Sequence, residues 1–484
     1  MADTEEKTQG QLLSEQLSFK IKNVWETAGE KELAEAGDFA VEYKRFLDLG
    51  KTERECTGLC CEALEKAGFV PLEDRLDSGG ALQPGDRVYR NLRDKALLCA
   101  IIGERPVEEG FTIVGAHLDS PRIDLKTNPL YEDSGFALFD THYYGGIKHY
   151  QWTAIPLAMH GVVIGRDGQK KNICVGEKDG DPVFTISDLL PHLAQEQMEK
   201  KAGEFFSGEE LDILAGSRPY RDGKVEEKVK LSVLEILNQT CGMTEEDFAS
   251  AEIEFVPAFK AQDVGLDRSM IGAYGHDDRS CAYAAFRALL RFASCAGAPG
   301  KTIVCFLSDK EEVGSMGNTG AESRALENFL AYLGRLTRGP GFSTSDLRRA
   351  LEKSSMLSAD VNAAYDPNFA SVYDKKTASW FGRGMALSKY TGRRGKLGGS
   401  EANAEFCHRV QAILDKNGVR WQYGNLGRVD KGGGGTIALY AANLGIDVLD
   451  CGIPVLSMHS PFEVISKIDL YTTFRGYIAF LKDA

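Results

Sequence analysis

The sequence predicts an α/β protein built on a mixed, mostly parallel sheet flanked by helices, with an inserted β-rich domain. Three observations carry that expectation. Short apolar runs bounded by turns recur along the chain, and such runs mark strands buried on both faces. Segments with helical spacing alternate with them, the order that lays strands down parallel. Between about residues 125 and 262 this order gives way to alternating and charged segments, the texture of a separate unit.

Residues 12–70 read as largely helical, with Phe19, Ile21, Val24 and Trp25 followed by Phe39, Val41, Tyr43, Phe46 and Leu47 at mixed helical spacing. Lys-Ala-Leu-Leu-Cys-Ala-Ile-Ile-Gly (95–103) and Phe-Thr-Ile-Val-Gly-Ala-His (111–117) then read as buried strands. The inserted region carries Gly-Val-Val-Ile-Gly (161–165), a charged stretch at 218–229 and an expected polar helix near 243–251. After it, residues 279–292 space their apolar side chains for a helix, and the strand at 302–308 follows. At 484 residues the chain exceeds the roughly 250–300 at which a single core stops growing. The expected division is therefore one discontinuous unit of residues 1–124 and 263–484 around an insertion at 125–262.

Composition narrows the function classes. Hydrophobic content of 43% and charged content of 26% are ordinary for a folded globular chain. A net charge of −14 argues against general nucleic-acid or anionic-membrane binding, which needs positive surface to release counterions. The basic stretch 382–396 runs against that balance and reads either as a solvated loop and strand edge or as an anion-recognising site. No apolar run approaches the roughly 20 residues that span a bilayer. The opening residues, Met-Ala-Asp-Thr-Glu-Glu-Lys-Thr-Gln-Gly, lack the apolar segment of a secretory signal, so a cytoplasmic protein is expected. The 11 Cys fit that compartment: Cys99, Cys281, Cys305 and Cys451 sit inside apolar runs, and no Cys-x-x-Cys pair occurs.

The chemistry lies in residues scattered over more than three hundred positions: His117, Asp277, Glu312, Asp360 and His459. Most stand where an apolar run ends in a turn of small residues, and the crevice of an open α/β sheet lies beyond the carboxyl ends of its strands. Two His with three carboxylates suit Zn²⁺, Co²⁺ or Mn²⁺ better than a thiolate site or a calcium loop. The set reads as that of a metallohydrolase. In Ala-His-Leu-Asp-Ser (116–120), residues two apart on extended chain share a face, so Asp119 can serve His117 as an outer carboxylate. In Gly-His-Asp-Asp-Arg-Ser (275–280), helix capping accounts for one Asp and leaves the other over; Asp277 is taken as the ligand, with Asp278 the alternative. In Ser-Asp-Lys-Glu-Glu-Val-Gly-Ser (308–315), adjacency allows Glu312 to bind metal while Glu311 faces water as a general base. Two other segments are set aside. Residues 295–302 miss the phosphate-loop pattern at Cys295, and Gly432–Gly435 is no dinucleotide fingerprint.

Taken in order, Gly-Ala-His-Leu-Asp-Ser-Pro, His-Asp-Asp-Arg-Ser, Asp-Lys-Glu-Glu-Val-Gly-Ser, Ser-Ala-Asp-Val-Asn-x-x-x-Asp-Pro-Asn and Ser-Met-His-Ser resemble the aspartyl aminopeptidase family of dinuclear zinc exopeptidases. The resemblance covers nearly the whole chain. It implies two divalent metal ions, zinc first and cobalt or manganese as substitutes. Asp277 would bridge them, His117 and Asp360 would hold one, and Glu312 and His459 the other. It also implies Glu311 as general base, Asp119 orienting His117, peptide substrates, and an inserted domain that mediates dimerisation within a dodecameric shell. Within that domain, residues 186–193 resemble a segment that lends a His to the neighbouring subunit, which would make His192 an oxyanion stabiliser; a satisfied surface His is the alternative. The family's lysine for a substrate carboxylate falls near Ser388–Lys389, so Lys389 is the candidate there. The chain departs from acid-specific members at Val-Asp-Lys-Gly-Gly-Gly-Gly-Thr (429–436), where they carry Asp-x-x-Cys-Gly-x-Thr, so acidic and neutral amino-terminal residues both stand as substrates. That departure looks like a bacterial subgroup. The rival readings are a metal-dependent carboxypeptidase or deacylase with a similar ligand set, and a non-catalytic assembly protein that keeps the fold.

Overall fold

The structure, a computed structural model, describes residues 7–295 and 297–484. The first residues of the acidic amino-terminal segment, and Ala296 within the segment resembling a phosphate loop, lie outside them. The main sheet has nine strands, and its centre is four parallel neighbours in the order Thr302–Ser308, Phe111–His117, Ser355–Ala359 and Asp447–Gly452. Every residue of the first three of these is buried. Alternation along the strands explains why both faces are apolar. Val114, Ala116, Cys305 and Leu307 pack with the helices Glu30–Leu49, Glu53–Lys66, His276–Ala293 and Lys467–Asp483. Ile113, Val304, Phe306 and Met356 pack on the other side with Ala325–Arg338 and Thr344–Glu352. The sheet is therefore mixed but parallel at its core, with helices on both faces.

A smaller five-stranded sheet, ordered Gln262–Val264, Met270–Ala273, Glu463–Ser466, Pro454–Leu456 and Asn362–Ala363, lies at one end of this framework and carries the loop that holds His459. A third, antiparallel sheet of six strands runs in sequence from Arg122 to Pro257 and has its own apolar cluster around Phe139, Trp152, Phe255 and Val233. Its strands show the in-out alternation of a sheet wetted on one face, as Phe136–Tyr144 does with exposed Phe136 beside buried Ala137. The helix expected near 243–251 is only a short 3-10 turn, Glu245–Ala249; the helix of this region is Lys228–Cys241, whose buried Val229, Val233 and Leu237 recur at helical spacing. The lysines and glutamates around its start disguise that stripe. Among the described residues, no helix is long and apolar enough to cross a membrane.

Candidate metal centre

Because Ser308 pairs with His117 and Ser358 with Gly115, three parallel strands end level with one another. Their carboxyl ends deliver His117, the single turn Glu311–Val313, and Asp360 to one crevice. The start of the helix His276–Ala293 adds Asp277 and Asp278, and the loop before Glu463–Ser466 adds His459. All five ligand residues expected from sequence are thus gathered, together with Glu311. The two oxygens of Asp277 face different histidines: Oδ1 lies 3.3 Å from His117 Nε2, and Oδ2 lies 3.2 Å from His459 Nε2. Glu312 Oε2 is 3.3 Å from His459 Nε2, and Glu311 Oε2 is 3.9 Å from His117 Nε2. Asp278 and Asp360 stand with His117 on one side, Glu312 with His459 on the other. Asp278 reaches only one side, accepting from the His117 backbone N–H, so the bridging geometry belongs to Asp277.

The donor set fits divalent zinc. Two ligands each about 2.0–2.1 Å from a tetrahedral zinc stand about 3.3 Å apart, the spacing found between both histidines and Asp277. His117 Nε2, Asp278 Oδ1 and Glu312 Oε1 are buried without a hydrogen-bond partner, an arrangement that is costly unless a cation satisfies them. Burial pushes Glu312, Asp360 and Asp278 well above the usual carboxylate range. Burial would do the same to Asp277, but the two histidines outweigh it and hold that carboxyl below its ordinary value. Glu311 is pushed up to about 7 by burial, with Asp277 and Asp119 reinforcing it and His117 opposing.

Two carboxylates hold the set in place. Asp119 Oδ1 lies 3.2 Å from His117 Nδ1 and accepts the Glu311 backbone N–H at 3.1 Å; its Oδ2 accepts from Glu312 N–H at 3.2 Å and from the Tyr144 hydroxyl at 2.9 Å. Glu463 does the equivalent opposite, accepting the backbone N–H of Asp277 at 3.0 Å and of His459 at 2.7 Å. His459 Nδ1 faces the Gly146 carbonyl at 2.9 Å, which leaves Nε2 for a ligand role. Sequence reasoning missed Glu463 and Tyr144. A carboxylate opening the strand Glu-Val-Ile-Ser is the only local signal for the first, and Tyr144, at the end of a strand of the six-stranded sheet, gave none.

Beyond the acidic residues opens a cavity of about 860 Å³, lined by Asp374, Asn425, Arg428, Gly432–Gly435 and, from the basic stretch, Arg393, Arg394 and Lys396. Lys389 is not brought to it. Ser388 and Tyr390 line the cavity and the residue between them does not; its Nζ lies 3.9 Å from Glu401. His192 stands on an exposed turn of the inserted segment, and no residue of that turn lines the cavity.

The sequence profile described as aminopeptidase I zinc metalloprotease (M18) matches residues 46–481. A probable M18 family aminopeptidase 1 of Clostridium acetobutylicum is 49% identical over 464 residues, covering 96% of this chain and 98% of that protein. The crystal structure of an M18-family aminopeptidase from Thermotoga maritima superposes with a TM-score of 0.91 at 46% identity, covering 96% of this chain and all 100% of that one. The S. cerevisiae mApe1 dodecamer, at 22% identity, shares the fold with a TM-score of 0.75 over 92% of this chain and 96% of that one.

Proposed function

The chain belongs to the aminopeptidase I zinc metalloprotease (M18) family, and from that premise we propose how its residues divide the work of removing single amino-terminal residues from peptides. It is a metal-dependent aminopeptidase. The reading of its centre is dinuclear, with Asp277 bridging, His117 and Asp360 on one side, and Glu312 and His459 on the other. The observation that carries it is the Asp277 carboxylate, whose two oxygens address two histidines on opposite flanks. Zinc bound there, with cobalt or manganese as substitutes, supplies charge that polarises a peptide carbonyl and acidifies water.

The chain's own residues do the rest. Glu311 stands beside the ligand set, its Oε2 3.9 Å from His117 Nε2, so it takes a proton from the attacking water and returns it to the departing amine. Asp119 fixes the His117 ring and, through two backbone N–H groups, the turn that aims Glu311; Glu463 fixes Asp277 and His459 relative to each other. The cavity beyond receives acidic or neutral amino-terminal residues. Residues 125–262 act as the inserted dimerisation domain of a catalytic unit formed by 1–124 and 263–484, in a cytoplasmic homo-oligomer that extends to a dodecamer. The mApe1 dodecamer with the same fold supports the assembly. The exposed turn carrying His192 suits a His offered to a neighbouring subunit's oxyanion, since it lies away from this chain's own cavity.

The test is release of free amino acid from a panel of unblocked dipeptides and their amino-acetylated copies, after reloading with Zn²⁺, Co²⁺ or Mn²⁺ and counting bound metal. Turnover of the unblocked set alone, with two metals per chain lost when Asp277 becomes Ala, is the expected result. Cleavage of the acetylated peptides, or a single metal at full activity, overturns it.

A further inference from the structure

A second set of metal-competent side chains shares no ligand with the Asp277 cluster and has no part in the reaction above. His160 and Cys174 are directly paired across the antiparallel strands Leu157–Ile164 and Lys170–Val175 of the six-stranded sheet, so their side chains project from the same face. Facing them is Glu55, in the first turn of the helix Glu53–Lys66 of the main unit. One ligand atom from each of the three lies within 4.8 Å of the others. Glu55 is preoriented: its Oε2 accepts the backbone N–H groups of Lys51 at 2.9 Å and Thr52 at 3.2 Å, leaving Oε1 aimed at His160 Nδ1, 2.8 Å away. His160 is 2% exposed whereas Cys174 is open to solvent, so the set is closed toward the protein and accessible from the thiol side.

From this geometry we propose that Glu55, His160 and Cys174 form a mononuclear zinc site that joins the inserted sheet to the main unit. Thiolate, imidazole and carboxylate together are a borderline-soft set that selects zinc over calcium or magnesium, and three protein ligands leave a fourth position for water. The charges permit it. A cation entering between Glu55 and His160 replaces the hydrogen bond there; one proton leaves the imidazolium and one the thiol, and Zn²⁺ brings two charges, so the net charge of the cluster is unchanged. The neighbours therefore keep their partners: Glu177 is 2.8 Å from Lys51 Nζ, 2.6 Å from Lys260 Nζ and 3.3 Å from His160 Nε2. No bond of the peptide reaction involves this site, so its work is to hold the inserted sheet to a helix of the main unit.

Cobalt makes the test specific, because the ligands of the Asp277 cluster are all nitrogen and oxygen. Titrating the intact chelated protein with Co²⁺ should produce a thiolate-to-cobalt charge-transfer band in the near ultraviolet, bleached by excess zinc. Cys174→Ser, an exposed and nearly isosteric change, should abolish that band and lower bound zinc by one ion per chain while aminopeptidase activity is retained. Absence of the band after the catalytic cluster is saturated, its survival in Cys174→Ser, or unchanged zinc stoichiometry in that variant would each overturn the site.

Discussion

The nine-stranded and six-stranded sheets treat charge in opposite ways. Along the central strands of the first, polar groups are driven to the strand ends, and the ends crowd together carboxylates that, among the described residues, no Lys or Arg neutralises: Asp277, Asp278, Glu311, Glu312 and Asp360. At the base of the second, carboxylates gather around cations, with Arg122 2.8 Å from Asp124 and 3.3 Å from both Glu53 and Glu254, and Lys95 2.8 Å from Glu252. Paired charge of this kind fixes how elements dock; uncompensated charge calls for ions from outside. The chemistry sits where carboxylates crowd together without a Lys or Arg beside them among the described residues.

Four experiments would break or sharpen that contrast. The largest effect is expected from Glu311→Gln, which keeps shape and burial but removes the base: kcat should fall about 10²–10⁴-fold with metal content unchanged. Turnover close to the parent's would take Glu311 out of the mechanism. Next comes metal removal. Burial pushes Glu463 up to about 8 and Glu311 up to about 7 from an ordinary 4.5, so in the chelated protein the folded state keeps protons that the unfolded chain gives up. Stability from these groups is fully present below about pH 4.5 and is lost as pH rises through 7 to 8. The gap in Tm between zinc-loaded and chelated protein should therefore widen from pH 5 to pH 8; an equal gap at both would sink the account of uncompensated charge.

Smaller effects should come from the residues that hold the ligands. Glu463→Gln, inside the main unit, and Tyr144→Phe, which reaches over from the six-stranded sheet to Asp119, should each lower zinc affinity about 10–100-fold, as loss of an outer-shell partner does. If Tyr144→Phe leaves affinity and kcat untouched, the inserted sheet is a neighbour of the centre and not a support for it. The smallest effect belongs to Lys389→Ala. Its side chain does not line the cavity, so kcat/KM on an acidic dipeptide should stay within about twofold. A large rise in KM would show that the loop from Tyr390 onward rearranges on binding.

Much of the fold was legible because its causes are local. The strands at 96–101, 111–117 and 302–308 are apolar runs of strand length, and the helix over 276–293 shows its stripe plainly. The helix Lys228–Cys241 was not, since charged residues at its start mask the short apolar stripe of Val229, Val233 and Leu237. The place of Lys389 was not legible for a related reason: one step along an extended chain reverses the side chain, and nothing short of the strand register says which face meets the cavity.

By itself, the sequence determined which residue types are present and where strands give way to turns, and so the candidate ligands His117, Asp277, Glu312, Asp360 and His459 with Glu311 beside them. Those choices are encoded within a few residues of each position. Only the tertiary structure decided that Asp277 and not Asp278 stands between the histidines, and that Glu463 and Tyr144 brace the centre. Whether one carboxylate or its neighbour bridges depends on angles of tens of degrees at the start of a helix. Those angles are set by the packing of that helix against strands more than a hundred residues away in the chain.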